Sequence, residues 1–138
     1  MNELPSSELH RLNAVHGWLE LGCPADAAAE LQSMDAQCRD HPAVLDASWH
    51  VQSSRGLWDE AFQVAERTVQ LHPDLAGGWI HRAYAARRRT GGGLAQARDL
   101  LRPAADRFPK EAVIPYNLAC YAAQLGVDRK STRLNSSH

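Results

Sequence analysis

The feature that most constrains the fold is a glycine that recurs at nearly constant spacing. Gly22, Gly56, Gly92 and Gly126 are separated by 34, 36 and 34 residues. A period of roughly 20 to 50 residues is typical of repeat architectures, in which one small supersecondary unit is copied along the chain. The spacing therefore predicts a stack of similar units.

Each unit also repeats a small residue, an apolar residue and a closing proline in the same order. These positions are Ala27, Leu31 and Pro42, then Ala61, Ala65 and Pro73, then Ala97, Leu101 and Pro109. The glycine suits a tight turn between two helices, because it tolerates positive φ. The alanine allows two helices to approach closely, the apolar residue fills the space one turn later, and the proline ends one helix and opens the next.

The apolar pattern predicts an all-α chain, since no segment alternates with a period of two. The predicted helices cover residues 7–21, 24–39, 42–54, 57–71, 75–90, 94–107 and 111–125. Predicted N-caps are Ser6 or Ser7, Asp40 and Asp74, whose short side chains can accept hydrogen bonds from a first turn. Pro103 is expected to kink the sixth helix or split its end.

The 34-residue period with these glycine, alanine and proline positions resembles the tetratricopeptide repeat family. The stretch IPYNLACYAAQLG fits the family's first helix through Leu118 and Ala119, and Trp18, Trp49 and Trp79 fall in first helices. The resemblance implies a right-handed superhelical solenoid of antiparallel helix pairs, with about three and a half repeats and seven helices. The implied domain is 1–127, with units of about 8–41, 42–75, 76–111 and an incomplete 112–127. The implied packing positions are Gly22, Ala27, Gly56, Ala61, Gly92, Ala97, Leu118, Ala119 and Gly126.

Two departures from the repeat have predicted causes. Pro42 and Pro73 are only 31 residues apart, which we attribute to a longer second helix in the first unit. The segment TGGG at residues 90–93 adds two residues to the turn of the third unit.

The last eleven residues, 128–138, break the repeat, because the frame requires an alanine where Ser131 stands. A back-translation of DRKSTRLNSSH resembles a sequencing-library adapter, so we interpret this segment as non-native and the fourth unit as truncated. A natural disordered tail is the alternative. Truncation would leave the last helix without a successor, and exposed Tyr116, Leu118 and Tyr121 would then offer a route to self-association.

Charge and composition argue against several functions. The formal net charge is −1, which gives no electrostatic basis for binding nucleic acid or an anionic membrane. The sequence has neither a membrane-spanning apolar run nor a signal peptide at its N-terminus, so we expect a cytoplasmic protein. Cys23, Cys38 and Cys120 are odd in number and form no CxxC pair, which indicates reduced, partly buried thiols.

The sequence predicts no enzyme, no metal site and no cofactor. The seven histidines are scattered without an HExxH pattern, and His41 and His72 are interpreted as residues at helix ends. The stretch GGGLAQ lacks the Lys-Ser/Thr of a phosphate loop. Asp59 and Glu60 begin a helix, where carboxylates stabilise the positive end of its dipole.

A helical solenoid presents a concave groove that can hold a peptide or helix of a partner. The predicted lining is Leu12, His16, Leu19, Asp46, His50, Ser53, Ile80, Tyr84, Arg87, Tyr116, Asn117 and Cys120. By resemblance, Asn117 would bond the main chain of a bound peptide, although capping its own surroundings is an equal alternative. The run Arg87 to Arg89 is either an acceptor of carboxylates or, more commonly, a solvated face.

The predicted function is therefore a non-catalytic protein-protein interaction scaffold. The alternative is an accessory domain of a longer enzyme or of a secretion or assembly component. The sequence does not identify an individual partner.

Overall fold

The computed structural model describes the backbone of residues 3–136 and the side chains of residues 3–127. This part of the chain forms seven α-helices and no strand, which confirms the predicted all-α class and helix number. The helices are α1 (Ser6–Glu20), α2 (Pro24–Gln32), α3 (Pro42–Ser54), α4 (Trp58–Leu71), α5 (Ala76–Arg88), α6 (Leu94–Arg107) and α7 (Val113–Ser136), with a 3-10 turn at Ala36–Cys38.

The helices pack in the order of the chain. Each helix contacts the next one, and the contacts of α1 with α2, α3 with α4, α4 with α5 and α5 with α6 are the most extensive. In addition, α1 contacts α3 and α3 contacts α5. The first helices of neighbouring pairs therefore lie side by side, and a surface shared by α3 and α5 can carry a site.

Three hydrophobic clusters follow one another along the part of the chain whose side chains are described. The first joins α1, α2 and α3 around Val15 and Val51. The second joins α3, α4 and α5 around Trp49 and Phe62. The third joins α5, α6 and α7 around Leu101 and includes Ala83 of α5. Each cluster is thus built from neighbouring segments, as in a repeat protein whose units contact only their neighbours.

The recurring alanines are buried in the second helix of each pair. Ala27, Ala61 and Ala97 lie in α2, α4 and α6 and are all fully buried. A methyl side chain lets a helix approach its neighbour without a gap, whereas a larger side chain would force the two helices apart.

Glycine is required at the turns that separate the paired helices. Gly22 and Gly56 have φ of 75° and 71°, in the left-handed region. In the third turn the residue with positive φ is Gly91, at 76°, and not the predicted Gly92. Gly92 is restricted for another reason, because a Cβ there would lie 1.9 Å from the carbonyl oxygen of Ala86.

The prediction of a long second helix in the first unit was wrong. Helix α2 ends at Gln32, and the following chain is drawn toward α1. The buried Glu8 carboxylate accepts a 3.1 Å hydrogen bond from the Asp35 backbone N–H, and Arg11 donates to the Ser33 carbonyl. Met34 enters the first cluster. These contacts outweigh helix propensity and divert the chain into the 3-10 turn.

The predicted N-caps were also wrong. Helix α1 begins after Pro5 with no side-chain cap, and α5 begins after Leu75. Helix α3 is capped by His41, whose Nδ1 accepts a 3.1 Å hydrogen bond from the Ala43 backbone N–H. This role also corrects the interpretation of His41 as a residue at a helix C-terminus.

The two aspartates predicted as caps pair with arginines of later helices. Asp40 accepts hydrogen bonds from Nε and Nη2 of Arg67 at 2.6 and 2.7 Å. The hydrogen bond from Arg67 lowers the pKa of the Asp40 carboxyl. Asp74 accepts a 3.0 Å hydrogen bond from Arg107. Each carboxylate therefore joins the turn before the first helix of a pair to the second helix of that pair.

Helix α6 is continuous from Leu94 to Arg107, so Pro103 does not split it. Pro103 is exposed, and Ala104 beside it is fully buried. The ring therefore lies toward solvent while the next residue packs in the third cluster.

Helix α7 differs most from the repeat frame. Ile114 and Tyr121 are buried and Leu118 packs against the third cluster, at helical spacings of four and three residues. Ala119 is exposed and Gly126 lies inside the helix, so neither has its predicted packing role. Burial of Tyr121 also removes it from the apolar surface predicted for self-association.

The interpretation of residues 128–138 stays a prediction. The backbone of α7 continues to Ser136, the side chains from 128 onward lie outside the described part, and residues 137–138 lie outside it entirely.

Candidate binding groove

A cleft of about 530 Å³ lies between α3 and α5, with α4 at one side. We call it the aromatic groove, and its lining is Trp49, Ser53, Ser54, Trp58, Ile80, His81 and Tyr84. Residues 49 and 53 on α3, and residues 80 and 84 on α5, are one helical turn apart. The packing of α3 against α5 therefore brings two rows of side chains to one surface.

Trp49 forms the floor of the groove. Its indole is buried and stacks on the His81 imidazole, with ring centroids 4.0 Å apart and planes 7° from parallel. Tyr84 meets the same indole edge-on at 5.7 Å. The indole Nε1–H is buried and has no hydrogen-bond partner among the described residues. Trp49 is thus fixed by ring contacts to α5.

Tyr84 is the exposed aromatic residue of the groove, with 40% of its surface accessible. Its ring lies 5.8 Å from that of Trp58, between centroids. The Arg88 guanidinium carbon lies 3.6 Å from the Tyr84 centroid and 5.4 Å from the Trp58 ring, and Nη1 of Arg88 donates to the Tyr84 carbonyl at 2.9 Å. A cation is therefore held at the edge of the groove by two ring faces.

The three consecutive arginines do not form one basic face. Arg88 lies on Tyr84, as described above. The Arg89 guanidinium lies 3.9 Å from the Phe62 ring centroid and pairs with Asp59 at 3.6 Å. Arg87 lines a separate hollow beside α7. Each side chain has different surroundings, and Arg88 is the one at the groove.

A group of ionisable side chains lies beside the groove at the α3/α5 contact. Nε2 of His50 is 3.7 Å and Nδ1 of His81 is 3.9 Å from Oδ1 of Asp46. Burial lowers the pKa of His81, His50 lowers it further, and Asp46 opposes the change. His81 therefore favours the neutral imidazole, while Asp46 and His50 are about half exposed.

The structure gathers part of the predicted groove in one place. Ser53, Ile80 and Tyr84 line the aromatic groove. Asp46 and His50 meet His81 at its edge. These five residues come from α3 and α5, the two helices that supply all of the groove lining except Trp58.

Other predicted lining residues lie elsewhere. Leu12 belongs to the first cluster and Leu19 packs against it, because this face of α1 is turned to α2 and α3. His16 is half-buried on α1. Tyr116 of α7 is 69% exposed, whereas Asn117 and Cys120 are half-buried. None of these residues lines the aromatic groove.

The predicted groove lining left out four residues of this surface: Trp49, Trp58, His81 and Arg88. Trp49 was expected only as an aromatic residue of a first helix, and Arg88 only as part of the run Arg87 to Arg89. The pattern did contain a signal, because His81 is three residues before Tyr84 and Arg88 four residues after it, so all three share one helix face.

Three cysteines, Cys23, Cys38 and Cys120, are half-buried and free of disulfides in the described part of the chain. The prediction of partly buried thiols is confirmed. Within residues 3–136, no helix combines the length and apolarity needed to cross a bilayer.

Comparison with known proteins does not assign a family to this groove. No protein-family model matches the chain, and no curated protein matches it.

Proposed function

We propose that the chain is a non-catalytic protein-interaction module that binds a peptide or helical segment of a partner in the aromatic groove. The architecture proposed for it is the tetratricopeptide-like right-handed superhelix of antiparallel helix pairs, and the proposed compartment is the cytoplasm. The serial hydrophobic clusters and the buried alanines at corresponding places in α2, α4 and α6 support this architecture.

The observation that carries the proposal is an exposed tyrosine whose ring contacts a tryptophan and an arginine. The contacts of Tyr84 with Trp58 and Arg88 restrain its ring, while 40% of the residue faces solvent. Tyr, Trp and Arg dominate binding hot spots. The two aromatic side chains offer a large contact area at a small cost in rotamer entropy. An aromatic surface restrained in this way is ready to bind before any partner arrives.

The lining also indicates the chemistry of the partner segment. Ile80 and the ring faces favour an apolar or aromatic side chain, and the Ser53 and Ser54 hydroxyls can bond polar groups beside it. Arg88 can add a charge-assisted hydrogen bond to a carboxylate without leaving the Tyr84 ring. We therefore propose a segment that carries an apolar anchor close to an acidic residue.

Selection from a displayed library of random peptides tests the proposal without a known partner. We expect selected peptides to share an apolar or aromatic residue near Asp or Glu. Tyr84→Ala and Arg88→Ala should each weaken their binding by about 2 kcal/mol, the size of a hot-spot contact. Fluorescence anisotropy with labelled peptides measures the change.

Matched controls come from the same protein. Tyr116→Ala and Arg102→Ala remove an exposed tyrosine and an exposed arginine outside the groove, and we expect them to leave peptide affinity unchanged. Peptides that bind the Tyr84 variant normally, or that lose binding to the Tyr116 variant instead, would contradict the assignment of the groove.

A further inference from the structure

We propose that Asp46, His50 and His81 form a binding site for one divalent transition-metal ion, with Zn²⁺ as the best fit. One ligand atom from each residue, a carboxylate oxygen or an imidazole nitrogen, lies within 4.8 Å of the other two. The site joins two residues of α3, one turn apart, to one residue of α5. It goes beyond the proposed peptide binding and does not depend on it.

Two of the three distances between the ligand atoms are slightly longer than those of a tetrahedral site, and the third, between the two imidazoles, lies within 4.8 Å. With metal-ligand bonds of about 2.0–2.2 Å, neighbouring ligand atoms in a tetrahedron lie about 3.3–3.6 Å apart. Oδ1 of Asp46 is 3.7 Å from Nε2 of His50 and 3.9 Å from Nδ1 of His81. Asp46 and His50 are about half exposed, so their side chains have room to rotate toward an ion.

One ligand is already held in place by its neighbours. His81 is stacked on the buried Trp49, and its side chain is only 22% exposed. The stack fixes the plane of the imidazole, and Nδ1 lies 3.9 Å from Oδ1 of Asp46. A ligand held in this way loses little conformational freedom when an ion binds.

The ligand set selects the class of ion. Two imidazoles and one carboxylate suit Zn²⁺ and its neighbours in the first transition row, whereas Mg²⁺ and Ca²⁺ prefer sites made entirely of oxygen. The single carboxylate offsets half of the ionic charge. Three protein ligands leave a fourth position for water, the arrangement that zinc adopts at open sites.

Titration of Zn²⁺ into the full chain, prepared without a histidine tag and followed by calorimetry, tests the inference. We expect binding of one ion per chain, with no competition from excess Mg²⁺. His50→Asn and Asp46→Asn should each weaken the Zn²⁺ affinity by at least about 10- to 100-fold. Removal of a group that only orients a metal ligand already costs that much, and these two variants remove a ligand itself. The visible spectrum of the Co²⁺ complex should show tetrahedral coordination.

His10→Asn is the matched control, because His10 is an exposed histidine of α1 outside the cluster, and it should leave the affinity unchanged. His81→Asn removes the ring stack as well as a ligand, so the decisive variants are the two at half-exposed positions, with circular dichroism to verify their helix content. Absence of a one-to-one complex, or equal Zn²⁺ affinity in the wild type and the Asp46 and His50 variants, would overturn the inference. Peptide selection in the presence of a chelator tests the proposed function separately.

Discussion

Trp49 of α3 and His81 of α5 stack face to face, with ring centroids 4.0 Å apart. This contact joins the first helix of one pair to the first helix of the next. It also places a buried apolar ring beneath the aromatic groove and an imidazole beside the Asp46 carboxylate. The stability of the fold and both proposed binding activities therefore depend on the rings of Trp49 and His81.

Replacement of Trp49 by alanine should be among the most destabilising changes in the chain. The substitution removes a buried indole that contacts His81, Tyr84 and Trp58, and it leaves a cavity in the second cluster. We expect a loss of about 3–5 kcal/mol in the free energy of unfolding, as for other large-to-small core changes. Urea denaturation followed by circular dichroism measures it. A loss below about 1 kcal/mol would mean that the indole is not packed as described.

The stability of the protein should depend on pH through His81. Burial, followed by the effect of His50, lowers its folded-state pKa below the ordinary 6.5, against the opposing effect of Asp46. The folded state consequently binds fewer protons than the unfolded state in mild acid. The contribution of neutral His81 to the free energy of unfolding is fully present above pH 6.5. It is lost as the pH falls through the folded-state pKa of His81.

Urea denaturation between about pH 7 and pH 5 measures this effect. We expect the free energy of unfolding to decrease toward pH 5 in the wild type. The decrease should be shallower in His81→Asn, which lacks the titrating group even though it loses the ring stack. Equal slopes in the two proteins would show that His81 contributes nothing to the pH dependence.

Two alanine positions test the packing register. Ala61 is fully buried in the second cluster, so Ala61→Leu should overpack α4 and cost about 1–3 kcal/mol. Ala119 on α7 is exposed, and Ala119→Leu should change stability by no more than about 0.5 kcal/mol. The two variants insert the same side chain, so thermal denaturation compares burial alone. The reverse order would contradict the described orientation of α7.

Replacement of two glycines by alanine should change the free energy of unfolding in opposite directions. Gly91 has a φ of 76°, and Gly91→Ala should lose about 1–2 kcal/mol because a Cβ disfavours this conformation. Gly77 lies within α5, and a Cβ there meets nothing within 4 Å. Gly77→Ala should therefore gain about 0.5–1 kcal/mol. Denaturation midpoints that move in the same direction would refute the assignment of the turn.

The buried Glu8 carboxylate should stabilise the end of α2. It accepts a hydrogen bond from the Asp35 backbone N–H, so Glu8→Ala leaves that donor unpaired and should cost about 1–3 kcal/mol. Glu8→Gln keeps an accepting oxygen and should cost less. Glu3→Ala, at an exposed position, serves as the control. Equal stability of the Glu8→Ala variant and the Glu3→Ala control would exclude this role.

The sequence predicted the helices well where the pattern was local. Glycine at Gly22 and Gly56 and the buried alanine of each pair follow from the needs of a tight turn and a close helix approach. The end of α2 could not be read in the same way. Its position depends on the hydrogen bond between Glu8 and Asp35, which are 27 residues apart, and no local propensity encodes that contact.

The sequence prediction of a groove lining used the rule that residues one turn apart on a helix share a face. That rule put Ser53 and Tyr84 in the predicted lining, and both line the aromatic groove. It also assigned Leu12 to a surface, whereas packing turns this residue inward. The cluster of His81 with Asp46 depends on the relative position of α3 and α5. Periodicity within a single helix contains no information on that position.

The serial clusters have a consequence for synthesis of the chain. Their buried members span residues 12–51, 49–86 and 83–121, so each core is assembled from a stretch of about forty residues. Short sequence separations make the entropy of loop closure small and give the fold a low contact order. All buried residues of the first cluster have been synthesised before α5 leaves the ribosome. The protein can therefore acquire its tertiary structure vectorially, from the N-terminus onward, during translation.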